Sequence, residues 1–162
     1  MFGFGFGSGL PFLLVAGTLA YWLKDSGVEL KEITIIASAG LAYGLKFLWA
    51  PLLDHAEVPF IAGMGRRRSW LLLAHTGVVT GLLTMAMVTP AQLPLFIAAT
   101  LLVAIAGATQ DIAVDAYRIE IASVSDQGAL TAVYSLGYRI ALIVTGMAAL
   151  VARAVLSPPT LI

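Results

Sequence analysis

Cysteine is absent from the 162 residues, which excludes disulfides and thiolate metal sites. Charge is scarce as well: 11% of residues are charged, where soluble domains carry roughly a quarter. Lys plus Arg and Asp plus Glu number nine each, so no net field recommends a nucleic-acid partner. No Lys or Arg precedes the opening MFGFGFG, so the basic region of a secretory signal is missing and the segment reads as a retained span. No soluble domain, low-complexity tail or internal repeat is evident, and no motif for a metal or an organic cofactor is present, so none is expected.

What the chain has in quantity is apolar length. Hydrophobic residues make up 60% of it, which predicts an all-α membrane protein. Five runs approach or exceed the roughly 20 residues a helix needs to cross a bilayer: Phe2 to Leu23, Ile33 to Leu53, Trp70 to Thr89, Leu93 to Ala116 and Gly128 to Ala154. The links between them are short, so neighbouring helices run antiparallel. Arg66, Arg67 and Arg68 lie in the second link and Arg118 in the fourth, whereas the lysines of the first are offset by Asp25, Glu29 and Glu32 and the third link has no charge. By the bias of basic residues towards the cytoplasm, the even links and the amino terminus lie inside. Trp22, Trp49 and Trp70 fall near span ends, as interfacial anchors do. Gly3, Gly5, Gly7 and Gly9 precede Pro11; the first span is either bendable or closely packed against a neighbour.

Four charges interrupt this pattern. Lys46 lies in the second span, Asp111 and Asp115 in the fourth, and Arg139 in the fifth. Each costs roughly 2.5 to 3.5 kcal/mol near the bilayer centre on insertion scales, so they should face inwards and meet. Counting about 1.5 Å per residue from the cytoplasmic ends puts Lys46 about 12 Å deep, Asp111 about 9 Å, Asp115 about 3 Å and Arg139 about 16 Å. Asp111 is therefore the candidate to sit between two cations, while Asp115 has Arg118 three residues on as an alternative partner. A static salt-bridge cluster would account for this, but burial competes with the pull of a neighbouring cation, so a carboxylate placed there can change its protonation when its partner moves. A proton or substrate relay is the reading such residues favour. An intramembrane aspartyl protease would need carboxylates facing each other across a water; here both sit on one helix, about 6 Å apart along its axis.

The stretch APLLDHAEVPFIAGMGRRRSW places Asp54 at a helix end and Gly65, Arg66, Arg67 and Arg68 before the next span. It resembles the cytoplasmic signature loop of the major facilitator superfamily. Leu52 fits, while Ala50 stands for the first glycine, His55 for a basic residue, and the gap from Asp54 to Gly65 is longer. Together with GLPFLLVAGTLAYWL, YGLKFLWAPLLD, GRRRSWLL, TQDIAVDAY and LGYRIALIVTG, the chain is similar to the AmpG-type muropeptide permeases, whose loop is lengthened in the same way. The resemblance implies import of anhydromuropeptides, coupled to protons, across a bacterial inner membrane. It implies five spans of a six-helix amino-terminal half, with the rest of that half and the carboxyl-terminal half missing from a truncated chain. Lys46, Asp111, Asp115 and Arg139 match the family motifs, with Gln110 and Tyr138 completing the polar path; Asp54, Gly65, Arg66, Arg67 and Arg68 would hold the cytoplasmic gate. The expected partners are the bilayer, protons, a small glycopeptide and the missing half. Acetyl-coenzyme A transporters share the branch and give an alternative substrate; a transport-incompetent fragment or scaffold is the other.

Overall fold

The computed structural model describes residues 1–156 apart from 26, 60 and 89–91, with the side chains of 16, 62 and 152–156 also left aside. Every regular element among the described residues is helical. α1 (Phe2–Leu13) continues through a π-helical stretch at Leu14–Thr18 into α2 (Leu19–Asp25). Pro11, inside α1, has no N–H to donate and crowds the turn before it, and the helix widens directly afterwards.

The next run is broken more often. α3 (Leu30–Ala37), a 3₁₀ turn at Ser38–Gly40, α4 (Leu41–Leu45), a second 3₁₀ turn at Lys46–Leu48 and α5 (Ala50–His55) follow one another. Gly40 and Gly44 weaken the helical preference here, and Thr34 and Ser38 turn their hydroxyls back onto the carbonyls of Leu30 and Ile35. Pro51 occupies the first turn of α5, where its missing N–H costs nothing.

Three long helices complete the chain: α6 (Arg66–Met87), α7 (Leu93–Ile121) and α8 (Gln127–Leu156). These three are long and apolar enough to cross a membrane, which makes this a multi-pass membrane protein. The first two expected spans are built from shorter helical pieces. α6 starts at Arg66 instead of Trp70, so the three arginines form its first helical turn, and α7 runs on to Ile121, so Tyr117, Arg118 and Glu120 are helical and not part of a link. Helical hydrogen bonding does not stop where hydrophobicity does. The Gln127 side chain donates to the carbonyls of Arg118, Ile119 and Ala122, closing the free end of α7.

α7 is the central mast. Three buried clusters succeed one another along it: Leu19, Leu23, Ile33 and Ile36 around Phe96; Val15 and Ala39 around Val103 and Ala104; Leu53 and Leu71 around Ala113 and Val114. Helix contact in lipid depends on close approach, because hydrocarbon outside is as apolar as the interior. Glycines supply that approach. A Cβ on Gly9 would stand 2.7 Å from the Tyr138 carbonyl oxygen, one on Gly5 would overlap the Tyr134 carbonyl, and one on Gly77 would stand 2.8 Å from the Ala106 methyl. Gly5 and Gly9 thus seat α1 flush on α8, while Gly3 meets nothing within 4 Å and Gly7 faces Gln110.

Candidate functional site

Two polar clusters occupy the helix bundle. The first surrounds Asp111, which is buried in α7. Its Oδ2 lies 3.5 Å from Nζ of Lys46, and its Oδ1 accepts from the Tyr134 hydroxyl at 3.4 Å. Lys46 begins the second 3₁₀ turn, where the run from α3 to α5 is broken, so the lysine is delivered from an irregular stretch of backbone. Just beyond that turn, Trp49 donates its indole N–H to Thr109 of α7 at 3.1 Å, tying the break to the mast two residues before Asp111.

A cavity of about 320 Å³ opens beside this pair, lined by Lys46, Asp111, Asp115, Tyr134, Ser135, Tyr138 and Arg139. Phe12 meets Tyr43 edge-on with ring centroids 5.0 Å apart and Tyr138 at 6.0 Å, which extends the aromatic surface behind the cavity. The result is two carboxylates, two cations and two phenol rings in one open recess. It can hold an ionised group and present flat apolar faces to a ring.

Residues singled out in the sequence are distributed unevenly around it. Lys46 and Asp111 are ion-paired. Asp115 pairs with Arg118 at 3.2 Å, and Arg118 also donates to Thr131 at 2.8 Å. Arg139 lines the cavity but makes no ion pair among the described residues, so Asp111 has one cation and not two. Gln110 is not on the lining: it is 1% exposed and donates to the Ser8 hydroxyl of α1 at 3.2 Å. The sequence reading overlooked Ser8 and Tyr134. Ser8 is the one polar side chain in α1, a signal that was present.

The second cluster joins three helices at their polar ends. Arg67 of α6 donates through Nη1 to Asp54 Oδ1 and through Nε to Glu120 Oε1, both at 2.8 Å, and through Nη1 to the Leu53 carbonyl at 3.1 Å. Cations are disfavoured at a helix amino terminus, and two carboxylates from α5 and α7 offset that here. Gly65 enters α6 at φ 89°, a left-handed conformation natural to glycine. Ser69 donates to the Ile61 carbonyl at 2.6 Å and Trp70 to the Ala56 carbonyl at 3.0 Å, holding the preceding loop. Arg66 and Arg68 are exposed and unpaired among the described residues. Glu120 was missed in the sequence because it seemed to belong to a link.

The family model described as acetyl-coenzyme A transporter 1 matches residues 4–93, more than half of the chain. The chain belongs to that family. Its relatives extend the likeness through α7 and α8: a protein carrying the name AmpG 4 in Rickettsia conorii is 39% identical over 151 residues, covering 93% of this chain and 36% of the relative. The anhydromuropeptide permease of Escherichia coli K12 is 38% identical over 147 residues, covering 90% of this chain and 29% of the permease. This member of the family therefore spans about a third of the length of the curated relatives it matches. No solved structure matches it.

Proposed function

We propose that this chain is the amino-terminal transmembrane part of a proton-coupled carrier that imports anhydromuropeptides across the bacterial inner membrane. In this reading it contributes five spans of a six-helix half of the major facilitator type, with its amino terminus in the cytoplasm, and the remainder of the carrier completes the site. The observation that carries the proposal is the Asp111–Lys46 ion pair opening onto a recess between the broken run and the two long apolar helices α7 and α8. A pair with one partner buried and the other half-exposed adds little stability that apolar packing could not supply, so its presence here fits work done by breaking and remaking it.

The roles follow from the contacts. Asp111 takes a proton or releases Lys46; Asp115, held by Arg118, is the second acid on the path. Arg139 is free to receive a substrate carboxylate, and Tyr134 and Tyr138 offer phenol faces to a sugar ring. Gln110 acts from behind, through α1. Asp54, Gly65, Arg67 and Glu120 close the cytoplasmic side, with Arg66 and Arg68 facing outwards. A pair made in one state and broken in another supplies the differential contact that alternating access requires.

The test is uptake of labelled anhydromuropeptide by proteoliposomes of the full-length parent protein, with and without a proton gradient. Uptake that requires the gradient and is lost on replacing Asp111 and Asp115 together by Asn is expected; uptake indifferent to both would end the reading. The family description supports acetyl-coenzyme A as a second substrate, and a parallel arm with labelled acetyl-coenzyme A separates the two.

A further inference from the structure

We propose that Thr131 of α8 is a positioning residue for Asp115: it holds the Arg118 guanidinium against that carboxylate, so that the pair follows the place of the first turns of α8. This rests on the carrier reading above, in which Asp115 is the second acid on the path. Asp115 and Arg118 stand three residues apart on α7 and could meet without help, as neighbours on one helix face do. A pair left to itself on a helix surface is loose, because two side chains must give up their freedom to keep it. This one is not left to itself. The Arg118 side chain is largely covered, and its contact with the Thr131 hydroxyl, at 2.8 Å, is shorter than the 3.2 Å to Asp115.

The hydroxyl is oriented for that task. Thr131 donates its one proton to the Gln127 carbonyl at 2.7 Å, which leaves its oxygen to accept from Arg118 Nη1. Gln127 in turn donates its side-chain amide to the Arg118 carbonyl at 3.4 Å. α8 therefore grips Arg118 at both ends, the backbone through Gln127 and the guanidinium through Thr131 one turn further on. Arg118 Nε shows how firmly the fork is set: it is buried and finds no partner among the described residues. A guanidinium free to turn would offer that donor to water, so the two Nη contacts fix an orientation that leaves it unserved.

The place of α8 bears on Asp115 in a second way. Arg139 rides on the same helix eight residues beyond Thr131, about 12 Å along its axis, and lines the cavity together with Asp115. The remaining charged groups of that lining, Lys46 and Asp111, are paired with each other. Gly5 and Gly9 seat α8 on α1, whereas the side-chain hydrogen bonds that join α8 to α7 among the described residues are those of Gln127, Thr131 and Tyr134. A shift of α8 against α7 thus draws Arg118 away from Asp115 through Thr131 and moves Arg139 in the same step, which exchanges the cation that the carboxylate faces.

The experiment uses the full-length parent in proteoliposomes and in detergent, with Thr131→Val, Thr131→Ser, Asp115→Asn and the Thr131→Val/Asp115→Asn pair. Valine keeps the branched shape and removes the acceptor; serine keeps the acceptor. With labelled anhydromuropeptide, Thr131→Val should lower the maximal uptake rate about tenfold while KM changes less than about twofold, and Thr131→Ser should stay within about twofold of wild type. The Tm losses of Thr131→Val and Asp115→Asn should fail to add, because both release the same guanidinium. Additive losses, Thr131→Val uptake within about twofold of wild type, or a serine variant as slow as the valine one would each overturn the proposal. If Thr131→Val does not fold, Thr131→Ala removes the same acceptor with a better helix former and is read in the same way. Should the wild type take up no anhydromuropeptide, the carrier reading falls on its own, and the Tm cycle alone decides whether Thr131 and Asp115 act as one unit through Arg118.

Discussion

Arg67 of α6 stands between Asp54 of α5 and Glu120 of α7, 2.8 Å from each. One guanidinium thereby joins three helical elements, and both carboxylates are about half exposed while the arginine is largely covered. A planar fork serves two acceptors at once in a way an ammonium cannot. Exposed pairs of this kind contribute only about 0 to 1 kcal/mol each. Arg67→Lys should therefore cost about 1 kcal/mol of stability, yet reduce uptake strongly by leaving one carboxylate unheld. Thermal unfolding in detergent beside proteoliposome uptake checks both halves; a Tm loss without an uptake loss would make Arg67 a structural clamp only.

Lys46 and Asp111 should behave unequally when removed singly. Lys46→Met leaves a buried carboxylate facing a cavity without its cation, and breaking a buried pair in this way costs about 3 to 5 kcal/mol at most. Asp111→Asn leaves the half-exposed Lys46 able to reach water through the recess, so its loss should be smaller. Adding Asp111→Asn to Lys46→Met should recover part of the Tm, and a double variant no more stable than Lys46→Met argues against the pairing.

The glycine contacts of α1 admit a steric test with an internal control. Gly9→Ala places a methyl 2.7 Å from the Tyr138 carbonyl oxygen and 2.8 Å from the Ala141 side chain, which should cost about 1 to 3 kcal/mol in overpacking. Gly3→Ala meets nothing within 4 Å and should leave Tm unchanged or slightly raised. Equal effects at the two positions would mean that α1 does not press on α8 as described.

Gly65 separates conformational cost from steric cost. Nothing lies within 4 Å of a Cβ built there, but its φ is 89°. Gly65→Ala should destabilise by about 1 kcal/mol, and Gly65→Asn by less, since asparagine tolerates positive φ better. Chemical denaturation of the purified protein orders the three; an alanine variant as stable as wild type would show that the entry into α6 relaxes freely.

Much of this architecture is legible one segment at a time. The uncharged runs announce α6, α7 and α8, since the length needed to cross a bilayer is a property of consecutive residues. Depth arithmetic put Lys46 and Asp111 in one layer, and an ion pair joins them. It also put Arg139 in that layer, yet no ion pair among the described residues joins it to Asp111, because depth says nothing about the direction in which a side chain leaves its helix. Hydrophobicity ends the fourth span at Ala116, which leaves Glu120 without a place in the helical pattern, whereas backbone hydrogen bonding carries α7 on to Ile121.

Composition and apolar run length alone determined that this protein lives in a membrane, that it is helical, and that its few charges must find one another. Tertiary structure alone decided the long-range partners: Arg67 with Asp54 and Glu120 together, and Gln110 with Ser8. Partner choice depends on how far each helix is rotated about its own axis and how closely two axes approach. Contacts between segments distant in sequence, such as Gly9 against Tyr138 and Gly77 against Ala106, set both quantities, and no local pattern of residues encodes them.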